Sequence, residues 1–258
     1  MIQAPKFDPR VGAFGSLLKG DSFQNALKAA LPRTITVDRM IRVVLSAMTQ
    51  APKLLDCTPE SVLLSVLRAA AMGLEPDGGP LGQGYLVPYF NGKTKRTECQ
   101  FIPGYRGLVK LARNSGEIAS VTAEVVYERD SFHYELGLDP KLTHKRNDEA
   151  PDPGKLTHCY AVARFRDGEK EFVVLNAREV AKVRESSKAQ SGPWFDHEPE
   201  MWKKTAVRRL CKMLPLATDP KVAAMQANAV ISEEATFEVP LNASEPLAAI
   251  PETIEAVT

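Results

Sequence analysis

Cationic side chains at helical spacing are the residues of this sequence best placed to do chemistry. Arg106, Lys110 and Arg113 fall at i, i+4 and i+7, which on an α-helix stacks them along one side. Lys204, Arg208 and Lys212 follow i, i+4 and i+8, with Lys203 and Arg209 beside them and no acid after Glu200 in that stretch. Such rows hold phosphodiester backbones without reading bases. A solvated helix face is the competing reading of each row. It fits the second row less well, because five cations in one short helix repel one another unless anions lie opposite. A third set, Arg178, Lys182, Arg184 and Lys188, comes just before Trp194. A solvated helix and loop competes there with a basic grip on single-stranded nucleic acid, in which the indole stacks on a base. Trp194 can equally anchor a core or an interface.

Catalytic patterns are thin. His133, His144, His158 and His197 are not at metal-ligand spacing, and no CxxC or HxxxH occurs among the four cysteines and four histidines. The glycines of Leu74–Gly84 lack P-loop spacing, Gly82-Gln83-Gly84 lacks the third glycine of a dinucleotide fingerprint, and Gly92-Lys93-Thr94 lacks the upstream glycine of a P-loop. No ATP chemistry and no cofactor are therefore expected. Glu169-Lys170 and Glu179 near Lys182 match fragments of a nuclease carboxylate–lysine set, a match that charged chains produce by chance.

The elements that must carry these residues follow from periodicity. Residues Met1 to Lys19, with Pro5, Pro9, Gly12 and Gly15, read as loosely ordered. Helices are predicted from Asp21, with Phe23 and Leu27 inward and Pro32 as the stop, and from near Asp38, with Met40, Ile41, Val44, Leu45 and Met48 inward. A third starts at Thr58-Pro59-Glu60, an N-cap, a first-turn proline and a first-turn acid, and closes at Gly73. Asn91-Gly92 and Asp167-Gly168 each join two strand-like runs into a hairpin. Pro88 marks an edge strand, and Ile118–Tyr127 reads as a further strand. Pro103-Gly104 breaks an extended run and starts the helix of the first basic row, with Leu108, Leu111 and Ala112 inward and Gly116 as its stop. Residues 139–154 are polar and proline-containing and read as a loop, and Glu185–Gly192 as a flexible one. Asn176 caps a helix to about Arg184. The second row lies on a helix from about Pro199 to Leu214, with Trp202, Ala206, Leu210 and Met213 inward. The fold class is α+β: N-terminal helices, antiparallel β-hairpins packed with helices, and a C-terminal basic helix.

The chain has 258 residues, of which 44% are hydrophobic and 25% charged, ordinary for a soluble globular protein. The N-terminus carries no signal-peptide-like apolar run and no apolar run is long enough for a membrane span, so a cytoplasmic protein with no membrane partner is expected. Cys57, Cys99, Cys159 and Cys211 read as buried thiols. A net charge of +1 hides an asymmetry. Residues 219–258 hold one Lys and seven acids, a net of −6, and residues 1–218 carry +7. A basic body with an acidic tail is common in proteins that handle nucleic acid. The organisation expected is a flexible segment 1–20, a core 21–218 and a disordered acidic tail 219–258.

Several blocks in order resemble the RecT-type phage single-strand annealing proteins. They are Gln100-Phe101-Ile102-Pro103-Gly104-Tyr105-Arg106-Gly107-Leu108, then Ala123-Glu124-Val125-Val126-Tyr127-Glu128, then Pro193-Trp194 with Glu200-Met201 and Lys203-Lys204-Thr205, continuing through Arg208-Arg209-Leu210-Cys211-Lys212-Met213-Leu214-Pro215. The resemblance covers about Leu18 to Leu216, and the tail shows no motif of that family. It implies ATP-independent annealing of complementary DNA strands in recombination, by a ring or helical filament of copies cooperating with a phage exonuclease. Single-stranded DNA and the annealed duplex are then the ligands. DNA contact is expected from Tyr105, Arg106, Lys110, Arg113, Lys182, Arg184, Lys188, Trp194, Lys203, Lys204, Arg208, Arg209 and Lys212. A single-strand-protecting module without annealing activity, and a nuclease, are the alternatives.

Overall fold

The computed structural model describes residues 8–78, 82–186 and 193–215. Four helices come first: α1 (Pro9–Leu18), α2 (Asp21–Ala30), α3 (Val37–Gln50) and α4 (Pro59–Ala71), with a 3-10 turn at Pro52–Asp56. The helix α1 corrects the expectation of a loosely ordered N-terminus. Asp8 caps it by accepting from the Arg10 amide at 2.9 Å, Pro9 sits where a missing N–H costs nothing, and Val11, Phe14 and Leu18 are buried. Residues 1–7 lie outside the described residues. Thr36 caps α3 through the Arg39 amide, while Thr58, at the N-cap of α4, makes no side-chain cap bond. Gly73, at φ +63°, closes α4.

Strands β1 (Gly84–Asn91) and β2 (Arg96–Pro103) form the first hairpin. Its turn is held by Asn91, whose Oδ1 accepts from the amides of Lys93 and Thr94. After α5 (Tyr105–Asn114) come β3 (Ile118–Tyr127), β4 (Ser131–Glu135), β5 (Lys141–Lys145), β6 (Leu156–Phe165) and β7 (Lys170–Asn176). All pairings are antiparallel: β1–β2, β4–β5 and a three-stranded sheet in the order β3-β6-β7. Strand β5 corrects the loop reading at residues 141–145, while residues 146–154 are a loop as expected. The last elements are α6 (Ala177–Ser186), α7 (Pro193–Asp196) and α8 (Glu198–Cys211). Asn176 and Glu179 form a reciprocal capping box at the start of α6, each side chain accepting from the other's amide at 3.0 Å. Glu179 therefore has a structural task.

One core joins these layers. α8 packs on β3, β6 and β7 and against α5, α6 and α7. Cys159, Ala161 and Ala163 of β6 supply a small-residue surface on the sheet, and all three are fully buried. The four cysteines are free and buried. Among the described residues no helix is long and apolar enough to cross a membrane. The 219–258 stretch lies outside the described residues.

Candidate nucleic-acid interface

The two basic helices are neighbours, because α8 packs against α5. In α5, Leu108, Leu111 and Ala112 are sunk in the core. Gly107 is needed there too: a side chain at that position would run into the Gln83 carbonyl and Leu74. Arg106 and Arg113 lie exposed outside that packed side, and Lys110 between them is half-buried.

The three cations of α5 are not equivalent. Arg106 is exposed, its guanidinium lies 5.9 Å from the Tyr105 ring centroid, and its Nε donates to the Tyr105 hydroxyl at 3.2 Å. Tyr105 itself is half-buried. Arg113 is exposed and donates to the Ala119 carbonyl at 3.3 Å. Lys110 is turned into the fold, donating to the Gly73 carbonyl at 2.9 Å and to Gln83 Oε1 at 2.8 Å. Burial lowers its pKa, with nearby Glu75 opposing that shift. Glu75 is 3% exposed and paired to Arg39, whose Nη2 donates to it at 3.0 Å. The hydrogen bond from Arg39, the largest favourable influence, and the charges of Arg39 and Lys110 hold the Glu75 pKa below the usual range.

In α8, Trp202, Ala206, Val207, Leu210 and Cys211 face the core. Met213 does not. It is 51% exposed, and Leu214 takes the inward place assigned to it, because the helix ends at Cys211. Arg209 and Lys212 are exposed and Arg208 is half-buried. Lys203 lies 3.5 Å from Glu124 and 3.4 Å from Glu200. Burial works against its charge, but the two carboxylates outweigh it and raise its pKa. Lys204 is half-buried; burial first, and then the charge of Arg208, lowers its pKa.

The third set divides. Arg178 and Lys182 are exposed on α6. Arg184 lies over the Phe195 ring at 4.6 Å, with Nη1 3.4 Å from Glu198. Lys188 lies outside the described residues. Trp194 is in the core, 7% exposed, so the ring offered to solvent at this point is its neighbour Phe195, 53% exposed. Of the two readings left open for Trp194, its burial fits the core anchor and corrects the stacking ring; the two aromatics are adjacent in sequence and only the packing separates them.

Two features escaped the charge pattern. The β1–β2 hairpin carries Phe90, 65% exposed, at its end, with Lys93, Lys95 and Arg96 exposed around the turn. Glu98 stiffens that turn, accepting from Tyr89, Asn91 and Thr94 side chains at 2.8–2.9 Å. The second is an aromatic group between the β4–β5 hairpin and β6. Phe132 stacks on Tyr160, and His144 bridges the buried Asp130 (3.1 Å) and the Tyr160 hydroxyl (3.2 Å). The alternation of Phe132 and Tyr134 with polar residues was the available signal.

The model of the RecT family matches residues 38–244 of the chain. Protein RecT of Escherichia coli (strain K12) is 44% identical over 209 residues, covering 79% of this chain and 76% of that protein. The family match runs into the acidic tail, beyond the blocks on which the resemblance rests.

Proposed function

The chain belongs to the RecT family, and from that premise we propose that it binds single-stranded DNA and anneals complementary strands without ATP, as an assembly of copies. The observation that carries this reading is the pairing of α5 with α8, two adjacent helices whose apolar sides are committed to the core and which leave Arg106, Arg113, Arg209 and Lys212 exposed and Arg208 half-exposed. Arg106, Arg113, Arg208, Arg209 and Lys212 are the backbone contacts, and Lys203 and Lys204 add field from a half-buried position. Phosphate contact of this kind leaves the base edges open to a second strand. Phe195 beneath Arg184, and Phe90 above the basic turn, are rings on which a base can stack.

Residues 21–218 are the proposed annealing core, with α1 completing its N-terminal layer. The acidic stretch 219–258 limits nonspecific binding or recruits a partner, a phage exonuclease being the expected one. The site of action is the cytoplasm.

The test is strand pairing between two complementary oligonucleotides with no nucleotide triphosphate present. Faster pairing than the spontaneous rate, with a duplex product, supports the reading. Tight binding without acceleration gives a protecting module instead. Loss of phosphodiester bonds when magnesium is added gives a nuclease. Phe195→Ala is expected to weaken single-strand binding by about 1–3 kcal/mol if its ring takes a base.

A further inference from the structure

The β4–β5 hairpin ends in an apolar tip left open to solvent. Leu136 is 70% exposed and Leu138 fully so, on either side of Gly137. The other end of the hairpin is fixed. Phe132 lies 5.8 Å from Tyr160 at 17° between ring planes, and the His144–Asp130 pair beside it is buried. The two leucines are therefore held out on a docked arm.

The receiving shape is on a different part of the molecule. Between α1 and α3 lies an open hollow of about 380 Å³, lined by Val11, Gly12, Gly15 and Leu45 together with the exposed polar side chains of Ser16, Lys19, Ser46 and Thr49. The missing side chain of Gly12 leaves open space there, with no atom within 4 Å of where a Cβ would stand. α1 packs on α2 and α3, and neither α1 nor α3 packs substantially on β4 or β5. Tip and cavity thus belong to separate regions of one chain.

We propose that Leu136 and Leu138 of one copy seat in the α1–α3 cavity of a second copy. The branched apolar side chains meet the apolar part of the hollow at Val11 and Leu45, and Asp139, next to Leu138, meets Lys19 on its polar side. Glu135 is already opposite Lys141 across the hairpin, which leaves Asp139 as the charge at the tip. Because tip and cavity are different surfaces, the contact is heterologous. Each copy that donates a tip still has its own cavity open, so repetition gives a ring or an open helical array. The inference rests on the reading that copies assemble along DNA, and it names the surfaces by which they do so.

The experiment places cysteines on the two surfaces of the full chain, Ser16→Cys and Leu138→Cys, singly and together, with diamide as oxidant. The native thiols are buried and do not compete. Both replaced positions are exposed, so melting temperatures should match the parent. The doubly substituted chain is expected to give a ladder of dimers, trimers and larger species on a non-reducing gel, which dithiothreitol collapses. A mixture of the two single variants should stop at dimers, and each single variant alone should remain monomeric. Charge reversal, Lys19→Glu, should reduce the ladder several-fold, and Asp139→Lys in the same chain should restore it.

Dimers from Leu138→Cys alone would mean a symmetric contact and overturn the proposal. So would a ladder that fails to form, or one closed within single chains. Annealing by the parent is measured in parallel. Annealing without a ladder sinks this contact and leaves the proposed function standing; a ladder without annealing does the reverse.

Discussion

In α5 the lysine of the row, Lys110, gives its hydrogen bonds to the Gly73 carbonyl and the Gln83 side chain, whereas in α8 Lys204, the first cation of its row, is half-buried, with burial and Arg208 both acting against its charge. The first lysine is a brace between a helix and the connection that crosses it. The second is a charge held at a desolvated edge beside Arg208, where an incoming phosphate would relieve it. Two rows with similar helical spacing can thus divide their work differently, and a wheel diagram cannot tell the brace from the contact. Hydrogen-bond partners and burial can.

The largest expected effect lies in what the two helices share, a leucine sunk in the core. Leu108 and Leu210 are both fully buried, so Leu108→Ala and Leu210→Ala should each cost about 2–5 kcal/mol in urea denaturation. A negligible change for either would mean that its helix is not anchored as described. Next comes binding. Replacing Arg208 and Lys212 together by Ala should weaken single-strand affinity by about ten- to a hundred-fold, about 1.4–2.8 kcal/mol. The slope of log affinity against log salt should also flatten by about 0.7 for each phosphate no longer neutralised. Arg106 with Arg113 should show a smaller effect in the same titration; the reverse order would exchange the roles of the two helices.

The lysines sharpen the contrast. Lys110→Met leaves two acceptors without their donor and should cost about 1–3 kcal/mol of stability, with less effect on DNA binding than the Arg208 and Lys212 pair. Lys204→Met removes a poorly solvated charge, so stability should hold or rise while binding weakens. The smallest effect is a pH slope. Both lysines have pKa values lowered by burial from 10.5, so the unfolded chain binds more protons than the folded one below that value. Stability contributed at these sites therefore rises as the pH approaches 10 from below. Tyr89, pushed up to about 12 by burial and by its bond to Glu98, acts in the other direction once the pH exceeds its ordinary value of 10. Melts over that narrower window should show a shallower slope in Lys204→Met than in the parent.

Much of the fold was legible because its signals are local. Asn91-Gly92 and Asp167-Gly168 marked two of the three hairpins, Asn176 marked α6, and the buried residues of α3 and α5 followed their period. Helix α1 was missed because Pro9, Gly12 and Gly15 look like breakers. Pro9 in fact occupies the first turn, and Gly15 faces Leu45 of α3. The β4–β5 hairpin was missed because its burial comes from β6, across a polar stretch. For the candidate interface, the charges and their spacing could be read, but their use could not. The acceptors of Lys110 lie 27 and 37 residues away in sequence, and whether Trp194 or Phe195 turns outward is decided by packing against α8.

Glu75 ties together segments that the chain order keeps apart. Arg39 of α3 holds its carboxylate, and the charge of Lys110 lies close to it while Lys110 bonds the connection at Gly73 and Gln83. In hydrogen exchange these pieces should therefore behave as one cooperative unit: the amides of α3 and α5 protected together and released by the same opening. The β4–β5 hairpin, joined to the rest by ring contacts on one face, should exchange earlier and by itself. An array built through its tip would then slow that exchange without altering the α3–α5 unit, so that assembly could be followed amide by amide.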